Sequence, residues 1–177
     1  MKYLPLVVLP ALTLAAIILF ITVVFPRVFG HVYAAPEEPI DFQHRIHVQV
    51  VGLDCTFCHR LAMTSPNAGY PDVQQCMFCH VAVGQGTDEI EKVRQAWVSQ
   101  TPIDWVRVHR MPDHVHFVHE AHLRAVDRNG NAITCATCHG DVGSMGQAMQ
   151  VRPLNMGDCV NCHRDNGAPT ECATCHN

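Results

Sequence analysis

The sequence predicts one N-terminal apolar helix followed by a loop-rich, mostly α-helical domain with little side-chain core. Three observations carry this prediction: one long apolar run, a high content of turn-forming residues, and cysteines that occur only in pairs. The run Leu6–Phe25 is interrupted only by Pro10, Thr13 and Thr22, and the 177 residues include 11 glycines and 11 prolines. All ten cysteines belong to five CxxCH motifs, so none remains for a disulfide. The second domain is therefore organised around whatever these motifs bind.

CxxCH is the attachment motif of c-type haem, in which the two thiols bond to the porphyrin and the histidine ligates the iron. Paired CxxC also binds zinc, but zinc sites do not require a histidine after every second cysteine. We therefore expect five covalently bound haem c groups and a multihaem cytochrome c fold. The predicted attachment residues are Cys55, Cys58, Cys76, Cys79, Cys135, Cys138, Cys159, Cys162, Cys172 and Cys175. The predicted proximal iron ligands are His59, His80, His139, His163 and His176.

The other eight histidines are candidates for the second, distal axial ligand of each iron. Two FxHxxH patterns, beginning at Phe42 and Phe117, each precede a CxxCH motif. Helical residues three apart lie one turn apart on nearly one face, so the two histidines of a pair should ligate different haems. We predict distal ligation by His44, His47, His119 and His122, with His109 as the fifth ligand. Met156, Met145 and Met149 compete for that fifth position, whereas His31, His114 and His116 are expected not to ligate.

The two histidine patterns belong to an internal repeat, FQHRIH…CTFCH against FVHEAH…CATCH, and a further CxxCH follows each copy. The predicted haem domain, residues 42–177, thus has two units, 42–80 and 117–163, and a terminal motif at 172–176. Between the units, Thr87–Ser99 predicts a helix capped by Thr87 and ended by Pro102. About 29 residues per haem cannot form a large core, so the macrocycles should supply much of the buried apolar surface.

Residues 1–29 predict a membrane anchor. Twenty helical residues span about 30 Å, the hydrocarbon thickness of a bilayer. The alternative is a cleaved signal peptide, because Val32-Tyr33-Ala34 resembles a cleavage site, but Leu6–Phe25 exceeds a typical signal core. We expect a retained transmembrane helix, a Pro-containing linker at 30–41, and a haem domain facing the periplasm. The inner membrane is the predicted location.

The formal charge is −4, which provides no excess of cations for nucleic-acid binding. An acidic surface is better suited to docking on a basic patch of a redox partner.

A longer pattern resembles a known family. WVRVH from Trp105, Pro112-Asp113, the second FxHxxH, CxxCHG, and Leu154-x-Met156-Gly157 before a further CxxCHR resemble the membrane-anchored pentahaem cytochrome subunit of alternative complex III. The resemblance covers roughly residues 42–176. Met111 and Asp158 replace the Leu and Trp often found in the family, which could alter a haem edge or a docking surface. The resemblance implies iron–sulfur and polytopic quinol-binding subunits as partners, and a monohaem cytochrome or another periplasmic acceptor.

Three functions fit these features. The first is a non-catalytic electron-transfer subunit of a quinol:acceptor oxidoreductase, with no catalytic residue of its own. The second is an enzyme, either a stand-alone membrane-anchored quinol dehydrogenase or a reductase of nitrite-like substrates. The reductase would need an open iron, and abundant distal histidines and the lack of a CxxCK motif disfavour it. The third is a soluble periplasmic shuttle with a cleaved signal. The sequence favours the first.

Overall fold

The structure, a computed structural model, describes residues 4–25 and 34–176, and it describes side chains for 12–25 and 34–176. His31, Val32 and Tyr33 lie outside the described residues. The chain divides into two compact parts, Met1–Ala34 and Ala35–Asn177.

In the first of these, helix α1 comprises Leu4–Leu19, and a π-helical segment, Phe20–Val24, follows it directly. The amide of Phe25 donates to the carbonyl of Phe20, five residues earlier. Within the described ranges, no helix combines the length and the apolar character that crossing a membrane requires. The predicted single transmembrane α-helix over Leu6–Phe25 is therefore not found, because α-helical bonding stops at Leu19 and wider turns replace it.

The second part is mostly helical and rich in loops, as the sequence predicts. A π-helical segment, Ile46–Val50, comes first, and a 3-10 turn, Val142–Ser144, follows the third CxxCH motif. Extended pairing within the described residues is limited to two isolated antiparallel bridges, Val115–His176 and Val126–Ala132. The α-helices are α2 (Cys55–Cys58), α3 (Val73–His80), α4 (Asp88–Ser99), α5 (His119–Leu123), α6 (Cys135–His139), α7 (Met156–Asn166) and α8 (Cys172–Cys175).

Helix α4 confirms the helix predicted over Thr87–Ser99. Thr87 occupies the N-cap, but its hydroxyl donates to the carbonyl of Gly84 at 3.1 Å and not to the helix. The helix ends at Gln100, which has a left-handed conformation with φ of 55°. Val93 on the apolar face is buried, and the Arg94 guanidinium donates to the carbonyl of His80 at 2.8 Å. Helix α4 therefore packs against the end of α3, which carries the second CxxCH motif.

The protein core is small. Ile40, Ala62 and Val93 are the buried apolar residues among those described, and each keeps 5–6% of its surface exposed. By contrast, Phe78 within the second CxxCH motif is 61% exposed, and Val81 directly after it is 63% exposed. Burial of apolar area is the main favourable term in folding, so the apolar surface beside the motifs is suited to packing against a large planar cofactor.

The two repeated segments, called here unit one (residues 42–80) and unit two (117–163), exchange backbone hydrogen bonds. In unit one, the amide of His44 donates to Gly146 at 3.1 Å. In unit two, the amide of His119 donates to Pro66 at 3.2 Å. Each acceptor lies seven residues after the first CxxCH histidine of the other unit. The amides of the following residues, Arg45 and Glu120, donate to Met145 and Ser65 in the same register. This reciprocal register relates the two units as matching halves.

Candidate haem attachment and ligation sites

Each FxHxxH segment places its phenylalanine against both of its histidines. Phe42 stacks on His47, with ring centroids 4.3 Å apart, and meets His44 edge-on at 4.9 Å. The second segment repeats this arrangement, since Phe117 stacks on His122 at 4.6 Å and meets His119 edge-on at 4.8 Å. The two histidines of a pair therefore present different faces to their surroundings.

Backbone carbonyls hold three of these side chains through Nδ1. Nδ1 of His47 lies 2.9 Å from the Gln43 carbonyl oxygen, and Nδ1 of His122 lies 2.8 Å from that of Val118. Nδ1 of His119 lies 2.7 Å from the carbonyl oxygen of Pro66 in the other unit. A histidine that donates from Nδ1 to a carbonyl keeps the Nε2 lone pair available for a metal. This arrangement suits distal ligation.

Four of the five CxxCH histidines have the same orientation. Nδ1 of each lies near a backbone carbonyl oxygen, which again leaves Nε2 available for an iron. The acceptors and distances are Gly69 for His59 (2.7 Å), Val83 for His80 (3.3 Å), Pro169 for His163 (2.6 Å) and His114 for His176 (3.2 Å).

The separation between histidine rings tests whether a haem fits between them. With metal–nitrogen bonds of about 2.0 Å, two imidazoles on opposite sides of one metal have centroids about 6 Å apart. Three pairs of a CxxCH histidine with an FxHxxH histidine meet this requirement. They are His47–His80 at 6.1 Å, His122–His163 at 6.1 Å and His119–His139 at 6.3 Å. His119 and His122 thus lie beside different CxxCH motifs, as predicted for residues on different haems.

His44 lies in the corresponding place in unit one. Burial lowers its pKa, the Gly146 carbonyl offsets part of this effect, and the charges of His59 and His47 lower the pKa further. Nδ1 of His44 has no hydrogen-bond partner in the structure. The carbonyl of Gly146 corresponds in position to the carbonyl of Pro66, which lies near Nδ1 of His119 in unit two. His44 is therefore the neighbour of His59 in the first motif.

His109 lies beside the third motif, and its ligation of the fifth iron stays a prediction. Its ring centroid is 4.5 Å from that of His139, with the ring planes nearly perpendicular. Its Nε2 is buried without a hydrogen-bond partner. Burial lowers the pKa of His109, and burial together with the charges of His109, His119 and His59 lowers the pKa of His139 to about 4. Both rings are thus neutral near pH 7, the form that ligates a metal.

The remaining candidates are placed differently. His114 stacks on His176 at 5.5 Å, but its carbonyl faces Nδ1 of His176, the nitrogen that does not serve an iron. The amide of His116 donates to the Cys175 carbonyl at 2.8 Å, which fixes this segment against α8. Met156 is 69% exposed at the start of α7.

Each of the five motifs lies close to at least one other motif. Burial raises the thiol pKa of Cys76, Cys135, Cys138 and Cys159, and a thiol of a neighbouring motif contributes in each case. The neighbouring pairs are Cys58–Cys76, Cys55–Cys135, Cys162–Cys138 and Cys175–Cys159. The resulting order begins with the second motif, continues through the first and third, and ends with the fourth and fifth. Units one and two meet at their first motifs.

Polar side chains connect the motifs within each unit, and only Asp158 among them stands out in the sequence, as a departure from the family pattern. They are Arg60 and Gln75 in unit one, and Arg152 and Asp158 in unit two. Their shared position in the repeat could have indicated a common role, because Gln75 and Asp158 both directly precede the first cysteine of the second motif in their unit.

Helical CxxCH motifs, histidine rings at ligating separation and a small protein core are the features expected of a multihaem c-type cytochrome. No family model matches the chain. The chain is similar to the multiheme cytochrome c subunit of menaquinone reductase from Nitratidesulfovibrio vulgaris strain Hildenborough, with 27% identity over 184 residues. That alignment covers 89% of this chain and 88% of the relative. The similarity supports the multihaem cytochrome c family predicted from the motifs.

Proposed function

We propose that this chain is the electron-transfer subunit of a membrane-bound quinol-oxidising complex and carries five haem c groups. The observation that carries the proposal is the set of five CxxCH motifs, each of which lies close to another motif. Haem c supplies one-electron redox chemistry at its iron, and the protein positions it and tunes its potential. The ten cysteines would hold the groups covalently, the CxxCH and FxHxxH histidines would ligate the irons, and Phe42 and Phe117 would orient the FxHxxH pairs.

The finer proposal is alternative complex III. The WVRVH…PD…FxHxxH pattern and the five motifs support it. In this complex the chain would take electrons from iron–sulfur and polytopic quinol-binding subunits and deliver them to a monohaem cytochrome or another periplasmic acceptor. The name of the relative, a menaquinone reductase subunit, describes electron flow towards the quinone in that protein. Flow away from quinol is our proposal for this chain.

We also propose attachment to the inner membrane with the haem domain on the periplasmic side. The support is the apolar N-terminal segment, whose described side chains are exposed at Leu12, Leu14, Ile17, Ile18, Leu19, Phe20, Ile21, Val24 and Phe25. Exposed apolar surface of this extent indicates contact with lipid or with another protein.

Co-purification tests the proposed assembly. A C-terminally tagged full-length chain, isolated from detergent-solubilised membranes, should bring down an iron–sulfur subunit and a polytopic membrane subunit in fixed ratio. A matched purification from an untagged strain controls for adventitious capture. Recovery of the haem-loaded chain alone, at several detergent concentrations, would contradict the subunit proposal and favour a stand-alone quinol dehydrogenase.

A further inference from the structure

In unit one, a buried glutamine connects the two CxxCH motifs. Gln75 directly precedes Cys76 and is 5% exposed, and its Nε2 donates to the carbonyl of Phe57 within the first motif. Its Oε1 accepts from Nε of Arg60 at 2.9 Å and also from Nη2. Arginine can only donate hydrogen bonds, so it fixes the amide with its oxygen towards Arg60 and its nitrogen towards Phe57.

In unit two, an ion pair makes the equivalent connection. Asp158 directly precedes Cys159, and Thr137 occupies the position of Phe57 within its motif. A carboxylate cannot donate to a carbonyl, and Arg152 bridges the two instead. Its Nη1 donates to the Thr137 carbonyl at 2.7 Å and its Nη2 to Oδ1 of Asp158 at 2.7 Å.

The two connections occupy the same structural position. The N-cap side chain of Asp72 accepts from the amide of Gln75 at 2.8 Å, and that of Asn155 accepts from the amide of Asp158 at 3.0 Å. Both connecting residues thus stand at the third position of their helices, α3 and α7. The two repeated segments therefore place the connecting residue at the same helix position. This residue carries an amide in unit one and a carboxylate in unit two.

The exchange changes the charge beside the haem sites. The unit-one connection contains the Arg60 cation and a neutral amide, whereas the unit-two connection is a neutral ion pair. Asp158 is partly shielded from solvent, and its Oδ2 is buried without a partner. A nearby negative charge favours the oxidised, more positive state of a redox centre, and burial strengthens the effect because solvent screens it less.

We propose that Gln75 with Arg60, and Asp158 with Arg152, are matched positioning links between the two haem motifs of each unit, and that Asp158 lowers the reduction potential of the unit-two haems. The proposal rests on the haem binding proposed above. Each link would fix the spacing of the two haem sites in its unit. The charge of the link would set their relative reduction potentials, and thereby the driving force for electron transfer between them.

The test uses the full-length haem-loaded chain, with intact mass to count haems and a potentiometric titration of haem absorbance. Asp158→Gln supplies a donor for the Thr137 carbonyl and an acceptor for Arg152, so it should keep five haems and the parent melting temperature while raising at least one potential. Asp158→Leu removes the same charge without restoring the link, so it should raise a potential and also lower the melting temperature. Asp104→Asn removes one negative charge at an exposed position and should leave the potentials nearly unchanged.

Gln75→Leu gives an independent measure of positioning, because it breaks the unit-one link without changing charge. It should lower the melting temperature or haem occupancy without the upward shift in potential. If Asp158→Gln keeps five haems and its reduction potentials equal those of Asp104→Asn, the proposed effect of Asp158 on the potentials is wrong. A melting temperature for Asp158→Leu equal to that of Asp158→Gln would overturn the positioning role. A parent chain that carries no covalent haem would instead contradict the proposed function itself.

Discussion

One phenylalanine orients two histidines in each unit. The phenylalanine contacts one histidine face to face (His47 or His122) and the other edge-on (His44 or His119). Aromatic pairs in such geometries are worth about 0.5–1.5 kcal/mol beyond area burial. The phenylalanine therefore stabilises the two different histidine orientations, in which each histidine lies beside a different CxxCH motif.

Replacement of single histidines tests this divergence. His119→Ala and His122→Ala should each convert one haem from low-spin to high-spin, because loss of a distal ligand leaves the iron five-coordinate. The two affected haems should be different, since the neighbouring rings are His139 and His163. Electron paramagnetic resonance of the oxidised protein measures the conversion, and His114→Ala is the control expected to produce no high-spin haem. Identical high-spin signals from both single variants, with no further loss in the double variant, would contradict the assignment.

The buried Nε2 of His109 supports a second prediction. His109→Ala should produce one high-spin centre, because this nitrogen has no hydrogen-bond partner and the ring is held neutral by burial. Restoration of the low-spin signal by added imidazole would show that an axial position had been vacated. A spectrum identical to that of the parent protein would move the fifth position to Met156, Met145 or Met149.

At the scale of elements, close approach between the units depends on a glycine. A Cβ atom at Gly143 would lie 2.9 Å from Cγ1 of Val48, in the π-helical segment that follows His47. The 3-10 turn Val142–Ser144 can therefore pack on Ile46–Val50 only because Gly143 has no side chain. This contact supports the reciprocal backbone hydrogen bonds of His44 and His119.

Gly143→Ala should destabilise the haem domain by about 1–3 kcal/mol, the usual cost of overpacking. Chemical denaturation of the haem-loaded chain measures the change. The double variant Gly143→Ala/Val48→Ala should recover part of the loss, because the smaller side chain removes the clash. Gly157→Ala is the matched control, since its nearest atom is 3.4 Å away. Equal destabilisation by the two alanine substitutions, or no coupling with Val48, would refute the steric explanation.

Local patterns account for what the sequence predicted at this scale. Helix α4 follows from an apolar stripe and a following proline, whereas the short helices of the CxxCH motifs were not predicted individually. The Gln75 and Arg152 links could not be predicted, because they depend on the approach of motifs whose first cysteines are 21 and 24 residues apart in sequence. The π-helical turns at Phe20–Val24 also have no distinct sequence signal, since apolar residues suit either kind of turn.

For the whole molecule, the haem count is the first quantity to measure. The intact mass under denaturing conditions should exceed the polypeptide mass by five haems, because all ten cysteines lie in attachment motifs. A Cys172→Ala/Cys175→Ala variant should lose one haem and provides the calibration. Fewer than five haems in the fully matured parent chain would contradict the cofactor prediction.

Membrane attachment is a separate prediction for the N-terminal segment. Membranes washed with high salt and carbonate should retain the full-length chain, because hydrophobic attachment resists both treatments. Replacing residues 1–28 with a cleavable signal should release a haem-loaded soluble domain into the periplasm. The full-length protein in the soluble periplasmic fraction would contradict attachment and favour the shuttle interpretation.

The isolated chain should not oxidise quinol. Quinol oxidation moves two electrons and two protons, so it needs a membrane-level pocket with groups that accept protons. The segment Leu6–Phe25 offers only Thr13 and Thr22 as polar side chains, and a histidine bound to iron has no free lone pair to act as a base. Proton transfer should therefore occur in a polytopic partner, while electrons alone pass to this chain. Purified chain should exchange electrons rapidly with small dyes but show negligible turnover with a quinol analogue, and the co-purified complex should restore turnover. Sustained quinol oxidation by the isolated chain would favour the stand-alone dehydrogenase.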